Sequence, residues 1–235
     1  MKAFCLMTVG RCGSTALMQA LRGFADIATP FKDISCADDE LLHPKYVRAH
    51  ASEYQQLTGR PVESPDQLMQ AFYLHHADAN YAGFKSMPNR HRHYEEFVTT
   101  AGLQFIGLTR RDIPSTVASF MLARATGCWR RDGGVQRQSL HFDPQQHGKS
   151  AASILVYVMR SIEAIRVIPE AINLTYEDLC REDFHSRHLD DFFGRAIRLE
   201  NPRPPVHGSS YVSNWPEFLA FLHSVGEPIR NEPDP

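Results

Sequence analysis

The stretch Thr8-Val9-Gly10-Arg11-Cys12-Gly13-Ser14-Thr15 limits what this chain can fold into more than any other. It follows a short apolar run, Ala3-Phe4-Cys5-Leu6-Met7, that suits a strand. After it the period changes: Ala16, Leu17, Ala20, Leu21 and Phe24 fall on one face of a helix. Strand, glycine turn, helix is the opening unit of an α/β domain. At such a junction the first N–H groups of the helix have no helical partners, and the helix dipole adds about half a positive charge. An anion fits there. Gly10 and Gly13 let the backbone approach it closely, Arg11 brings a full charge, and Ser14 and Thr15 bring hydroxyl donors.

Further apolar runs at 82–85, 104–109 and 171–175 read as strands. They alternate with helical patterns at 94–101, 114–127 and 150–167, and Ser64-Pro65-Asp66-Gln67 is a capping-box start for a helix through about His76. Short strands between longer helices predict a three-layer, P-loop-like α/β fold, with a central, mainly parallel sheet flanked by helices. The expected organisation is a single domain over residues 1–235, with 36–80 and 130–149 as insertions or lids on one side of the site. Residues 130–149, rich in Gly, Gln, Arg and His, and 201–213, with three prolines and Gly208, read as irregular binding loops. The polar stretch 227–235 reads as a mobile tail.

Composition narrows the partners. With 25 Lys and Arg against 27 Asp and Glu the formal charge is −2, so no global field recruits nucleic acid, and any anion site must be local. The five cysteines, Cys5, Cys12, Cys36, Cys128 and Cys180, contain no C-x-x-C pair, which argues against a zinc ribbon or dithiol centre and for a reducing compartment. The apolar run near the N-terminus is too short for a signal peptide and is broken by Gly10-Arg11. Nothing reaches the 18 continuous apolar residues that suggest a membrane span. A cytoplasmic location follows as the expectation.

An ATP- or GTP-using P-loop follows the pattern G-x-x-x-x-G-K-[ST]. Here two residues separate Gly10 from Gly13, Ser14-Thr15 follow at once, and the lysine is absent. The strand ending at Thr109 runs into Arg110-Arg111 before it reaches Asp112, so no clear magnesium ligand follows it. A magnesium-dependent nucleotide kinase is disfavoured but stands as an alternative.

The octet resembles the 5'-phosphosulfate loop of sulfotransferases that use 3'-phosphoadenosine-5'-phosphosulfate (PAPS), commonly T-x-P-[KR]-S-G-[ST]-T. Gly10 stands for the usual proline and Cys12 for the usual serine. Two further segments carry the resemblance: Arg111-Asp112 with Ser119 eight residues beyond the arginine, and Tyr176-Glu177-Asp178-Leu179 after a strand. The run Thr126-Gly127-Cys128-Trp129 is similar to a stretch in bacterial carbohydrate sulfotransferases of the trehalose-modifying type.

The resemblance implies that Arg11, Cys12, Gly13, Ser14 and Thr15 hold the phosphosulfate and that Arg111 and Ser119 hold the 3'-phosphate. Tyr176 would lie near the nucleotide, and the loop at Gly208 would close over it. It implies sulfuryl transfer from PAPS to a hydroxyl of a carbohydrate or other small acceptor, with adenosine 3',5'-bisphosphate as product, no metal, and a homodimer as one compatible assembly. Lys85 matches the family's catalytic lysine. Met87 occupies the place of a familiar catalytic histidine, leaving Asp33 and His91, with His93 beside it, as candidate bases. That missing histidine and Cys12 keep a catalytically silent nucleotide-binding protein as a further alternative.

Overall fold

Strand β1 (Lys2–Thr8) is buried from Phe4 onward and has a partner on each side. It pairs in parallel with β3 (Tyr81–Ser86), Leu6 lying opposite Lys85, and with β4 (Gln104–Thr109), Leu6 lying opposite Ile106. β2 (Ile27–Ala28) and β5 (Ile172–Thr175) complete a five-stranded, all-parallel sheet in the order β2-β3-β1-β4-β5. The inner strands are near-continuous apolar runs because helices cover the sheet. The structure, a computed structural model, describes residues 1–30, 40–91, 93–100, 102–127, 139–199 and 204–231.

Parallel strands require crossovers. α1 (Ser14–Arg22) leads from β1 to β2, and α2 (Val47–Thr58) and α3 (Pro65–His75) lie between β2 and β3. α4 (Tyr94–Thr100) connects β3 to β4. α5 (Ile113–Thr126) and α6 (Pro144–Arg166) lie between β4 and β5. α7 (Tyr176–Leu179), α8 (Arg187–Phe193) and α9 (Trp215–Asn231) follow. The first crossover runs toward the β2 edge and every later one runs the other way. Strand order therefore reverses at β1, and a crevice outside the carboxyl ends of the strands opens at such a point. The octet leaves β1 at that end.

Local chemistry sets the helix starts. Ser64 accepts from the Gln67 N–H, with the Gln67 side chain returning to the cap backbone, as the capping box predicts. Asp112 caps α5 by accepting from the Ser115 N–H. α6 begins six residues earlier than its apolar period suggests, which takes residues 144–149 out of the expected irregular loop. Asp143 caps it by accepting from the Gln145 N–H, and Pro144 sits in its first turn. Gly148, which reads as a loop residue, instead admits the Phe221 ring of α9: a Cβ there would lie 3.2 Å from Phe221 Cζ. The expected mobile tail is also corrected in part, because α9 continues through Asn231.

Candidate functional site

The loop after β1 is held between two aromatic rings. A Cβ on Gly10 would lie 2.6 Å from Phe120 Cζ of α5, and one on Gly13 would lie 3.0 Å from Tyr176 Cδ2 of α7. Gly13, the N-cap of α1, has φ 79, a left-handed conformation natural to glycine. Arg11 also has φ 70, which costs a residue with a Cβ roughly 1–2 kcal/mol. Its Nε donates to Ser119 Oγ at 2.9 Å, and Ser119 is buried within α5. The loop thus joins β1, α1 and α5 at one point. Ser14 is buried and Thr15 half-buried at the start of α1. The Cys12 thiol is fully buried. Burial pushes its pKa up to about 12, Glu177 adding to the rise while Arg110 and Arg11 oppose it, so the sulfur stays protonated near neutral pH.

The two arginines after β4 part company. Arg111 precedes α5 and is drawn to α7: its Nη2 donates to Asp178 Oδ1 at 2.8 Å, and its backbone N–H, with that of Asp112, donates to the Glu177 carboxylate. Its side chain is 63% exposed, which leaves most of the guanidinium facing solvent. Ser119, paired with Arg111 by spacing in the sequence, is bonded here to Arg11. Arg110 is the buried member. Its guanidinium carbon lies 4.6 Å from the Tyr176 ring centroid, its Nη2 donates to Val206 O at 2.5 Å, and its Nε has no hydrogen-bond partner among the described residues.

Arg110 thereby ties Tyr176, and through it Gly13, to the segment before Gly208. The Gly208 N–H donates to Ser115 Oγ at 2.7 Å, and that hydroxyl donates to Asp112. Gly208 also lies so close to the Trp215 indole that no side chain fits between them. Tyr176 therefore stands against the loop, while Gly208 is fixed to α5 and to Trp215. Burial, first of all, raises the Tyr176 pKa to about 12, so its hydroxyl is neutral near neutral pH.

One strand over, at the carboxyl end of β3, lies a second polar cluster. Lys85 and Glu40 are buried, with Nζ 3.5 Å from Glu40 Oε1, and Arg90 Nε stands 3.9 Å from Glu40 Oε2. His91 stacks on Phe97 at 3.8 Å between ring centroids, and its Nε2 is 2.8 Å from Ser86 Oγ. Burial lowers the His91 pKa to about 4, which makes it a weak proton acceptor held by its neighbours. His93 lies exposed beyond it. Asp33, Cys128 and Trp129 lie outside the described residues. Glu40 and Arg90 carry no sequence signature. Their only early signal is that Arg90 falls within a turn of a strand-ending lysine.

Among the described residues no group of three His, Cys, Asp or Glu side chains is placed to hold a metal ion, and no helix is long and apolar enough to cross a membrane. No protein-family model matches the chain, and no curated protein matches it either.

Proposed function

We propose that this chain is a PAPS-dependent sulfotransferase that moves a sulfuryl group to a hydroxyl of a carbohydrate or other small acceptor in the cytoplasm. The observation that carries this reading is the bond between Arg11 and Ser119, 108 residues apart, at the point where strand order reverses. It joins the two segments that an anionic nucleotide would have to bridge. The loop suits a phosphosulfate. Gly13 leaves no Cβ against Tyr176, the first N–H groups of a helix such as α1 have no helical partners, and Arg11 stands in the loop with its positive charge. The exposed Arg111 guanidinium and the buried, unpartnered Nε of Arg110 offer charge for a second phosphate.

Sulfuryl transfer, like phosphoryl transfer, is a loose in-line displacement, and catalysis is mainly positioning and electrostatics. As the bond to the bridging oxygen breaks, negative charge collects on the leaving phosphate. Arg11 and the N–H groups of Gly13, Ser14 and Thr15 are the groups of this chain suited to stabilise it. The loop has no lysine for β- and γ-phosphates, which weighs against the kinase alternative.

Calorimetric titration separates the readings. Adenosine 3',5'-bisphosphate should bind without Mg²⁺, and labelled PAPS should pass its sulfuryl group to a sugar. Preference for Mg-ATP would favour the kinase. Tight bisphosphate binding with no transfer across a broad acceptor panel would favour a silent nucleotide-binding protein.

A further inference from the structure

We infer that the acceptor hydroxyl is seated between Glu40 Oε2 and Arg90 Nε, which makes this pair the acceptor subsite and Arg90 a specificity-determining residue for alcohols; the inference rests on the sulfuryl-transfer reading above. Both atoms are buried and neither has a hydrogen-bond partner among the described residues. Their 3.9 Å separation is too long for a hydrogen bond to each other. A single oxygen about 2.8 Å from each spans that gap.

The chemistry of the pair is selective. A carboxylate only accepts and a guanidinium N–H only donates. A hydroxyl satisfies both at once, giving its proton to Glu40 and receiving one from Arg90. An ammonium has no lone pair for Arg90, and an ether has no proton for Glu40. Lys85 neutralises the other carboxylate oxygen from 3.5 Å, which keeps the cluster net positive and adverse to a cationic acceptor. Buried charged groups left without hydrogen bonds are costly, so a ligand that meets both is favoured over one that meets neither.

The pair stands beside the loop. The Tyr157 hydroxyl donates to Met87 Sδ at 3.4 Å and the Arg90 backbone N–H donates to Met87 O at 2.9 Å, so Tyr157 and Arg90 meet at Met87. The Tyr157 ring packs edge-on against Phe120 with centroids 5.8 Å apart, and Phe120 is the ring that covers Gly10. Lys85 lies opposite Leu6, two residues before the end of β1. In the step itself the acceptor oxygen forms its bond to sulfur as the bond from sulfur to the bridging phosphate oxygen breaks. The electron pair leaves with adenosine 3',5'-bisphosphate, and the hydroxyl proton passes to Glu40 Oε2.

The test uses the full chain, labelled PAPS, and trehalose and glucosamine as acceptor probes, with bisphosphate affinity measured in parallel. Glu40→Gln should lower kcat by about 10²-fold or more. Arg90→Met should raise the KM for trehalose at least about 10-fold, the loss expected for a hydrogen bond to a charged group. Bisphosphate Kd should stay within about two-fold in both variants by the same reasoning, since neither residue is placed on the nucleotide. Glucosamine should be sulfated on oxygen. Arg90→Lys keeps the charge and serves if Arg90→Met fails to fold; it should raise the same KM. An unchanged KM in the folded Arg90 variant would mean that the pair holds only a structural water, and N-sulfation of glucosamine would overturn the selectivity. Wild-type protein that ignores the bisphosphate, or that transfers to no sugar or alcohol of a broad acceptor panel, would bring down the sulfotransferase reading and this inference with it. Wild-type activity with variants that leave kcat and KM unmoved would bring down this inference alone.

Discussion

The two ends of the sheet treat charge in opposite ways. At the amino end, Asp26 stands before β2 and accepts from both terminal nitrogens of Arg195 and from Asn80 Nδ2. Arg195 also lies over the Phe24 ring, and Lys2 donates to Phe192 O. At the carboxyl end, Glu40 Oε2, Arg90 Nε and Arg110 Nε are buried without hydrogen bonds among the described residues, and Arg11 sits in a left-handed conformation that side chains avoid. One end is satisfied and serves to hold strands and helices together. The other carries unmet hydrogen-bonding capacity, a feature found where a fold is shaped for a ligand rather than for itself; backbone strain does not divide the ends, since Arg11 at φ 70 has a counterpart in Glu170 at φ 54, just before β5.

The contrast is tested most severely at Arg11. Arg11→Ala should lower the transfer rate by about 10²–10³-fold, the usual loss when a group stabilising leaving charge is removed, and should weaken bisphosphate binding. Rate and affinity equal to wild type would show that the strain at φ 70 serves nothing at this loop.

His50 sharpens the contrast from outside both ends. It is fully buried on α2, neither ring nitrogen has a hydrogen-bond partner among the described residues, and burial lowers its pKa to about 4. The folded state therefore holds a neutral ring, while the unfolded chain takes up a proton near pH 6.5. Stability is complete above that pH and falls as pH drops toward 4, by up to about 1.4 kcal/mol per pH unit for this one proton, with no further loss below. His76, lowered to about 4 chiefly by burial with His75 adding to it, and His91 act in the same direction. Urea unfolding at pH 7.5 and pH 5 should show the loss, and His50→Leu should reduce it by the share of one proton, leaving that of His76 and His91. Bisphosphate affinity at pH 7.5 should not change, which would mark His50 as an unsatisfied group without a role in the site.

How far the sequence foretold these ends depends on how locally each feature is encoded. β1, β3, β4 and β5 were readable because a buried parallel strand is a nearly unbroken apolar run, and α3 because Ser64 and Gln67 spell out its cap. α2 gives no such sign: its N-cap, Tyr46, makes no side-chain cap bond. α9 runs into the stretch 227–235 that reads as a polar tail, and β2 is only two residues long. At the site, the loop was legible because one short segment builds it. The bond from Arg11 to Ser119 was not legible, because it depends on the packing of α5 against the loop rather than on spacing along the chain. Glu40 and Arg90 lie 50 residues apart, and neither means anything until β3 and the segment before α2 are folded.

A smaller effect is expected at the satisfied end. Arg195→Ala removes the clasp on Asp26 and one face of Phe24, and should lower Tm by a few degrees while leaving transfer per folded molecule unchanged. Differential scanning calorimetry with a rate assay checks both halves. A loss of rate at equal folding would mean that the two ends are coupled and that the division drawn here is too simple.

The finest test returns to the strained position. Glycine adopts φ near 70 freely, whereas alanine does not. Arg11→Gly and Arg11→Ala both lose the guanidinium and its bond to Ser119, so their difference isolates the backbone. Against this stands the greater freedom of glycine in the unfolded chain, which costs roughly 0.4–1 kcal/mol. The strain relieved, roughly 1–2 kcal/mol, is the larger quantity. Arg11→Gly should therefore be the more stable of the two by about 0.5–1 kcal/mol in urea unfolding, with both equally inactive. Alanine as stable as glycine would mean that the loop relaxes out of the left-handed conformation once the arginine is gone. The strain would then be imposed by the reach of Arg11 to Ser119 rather than by the turn between Phe120 and Tyr176.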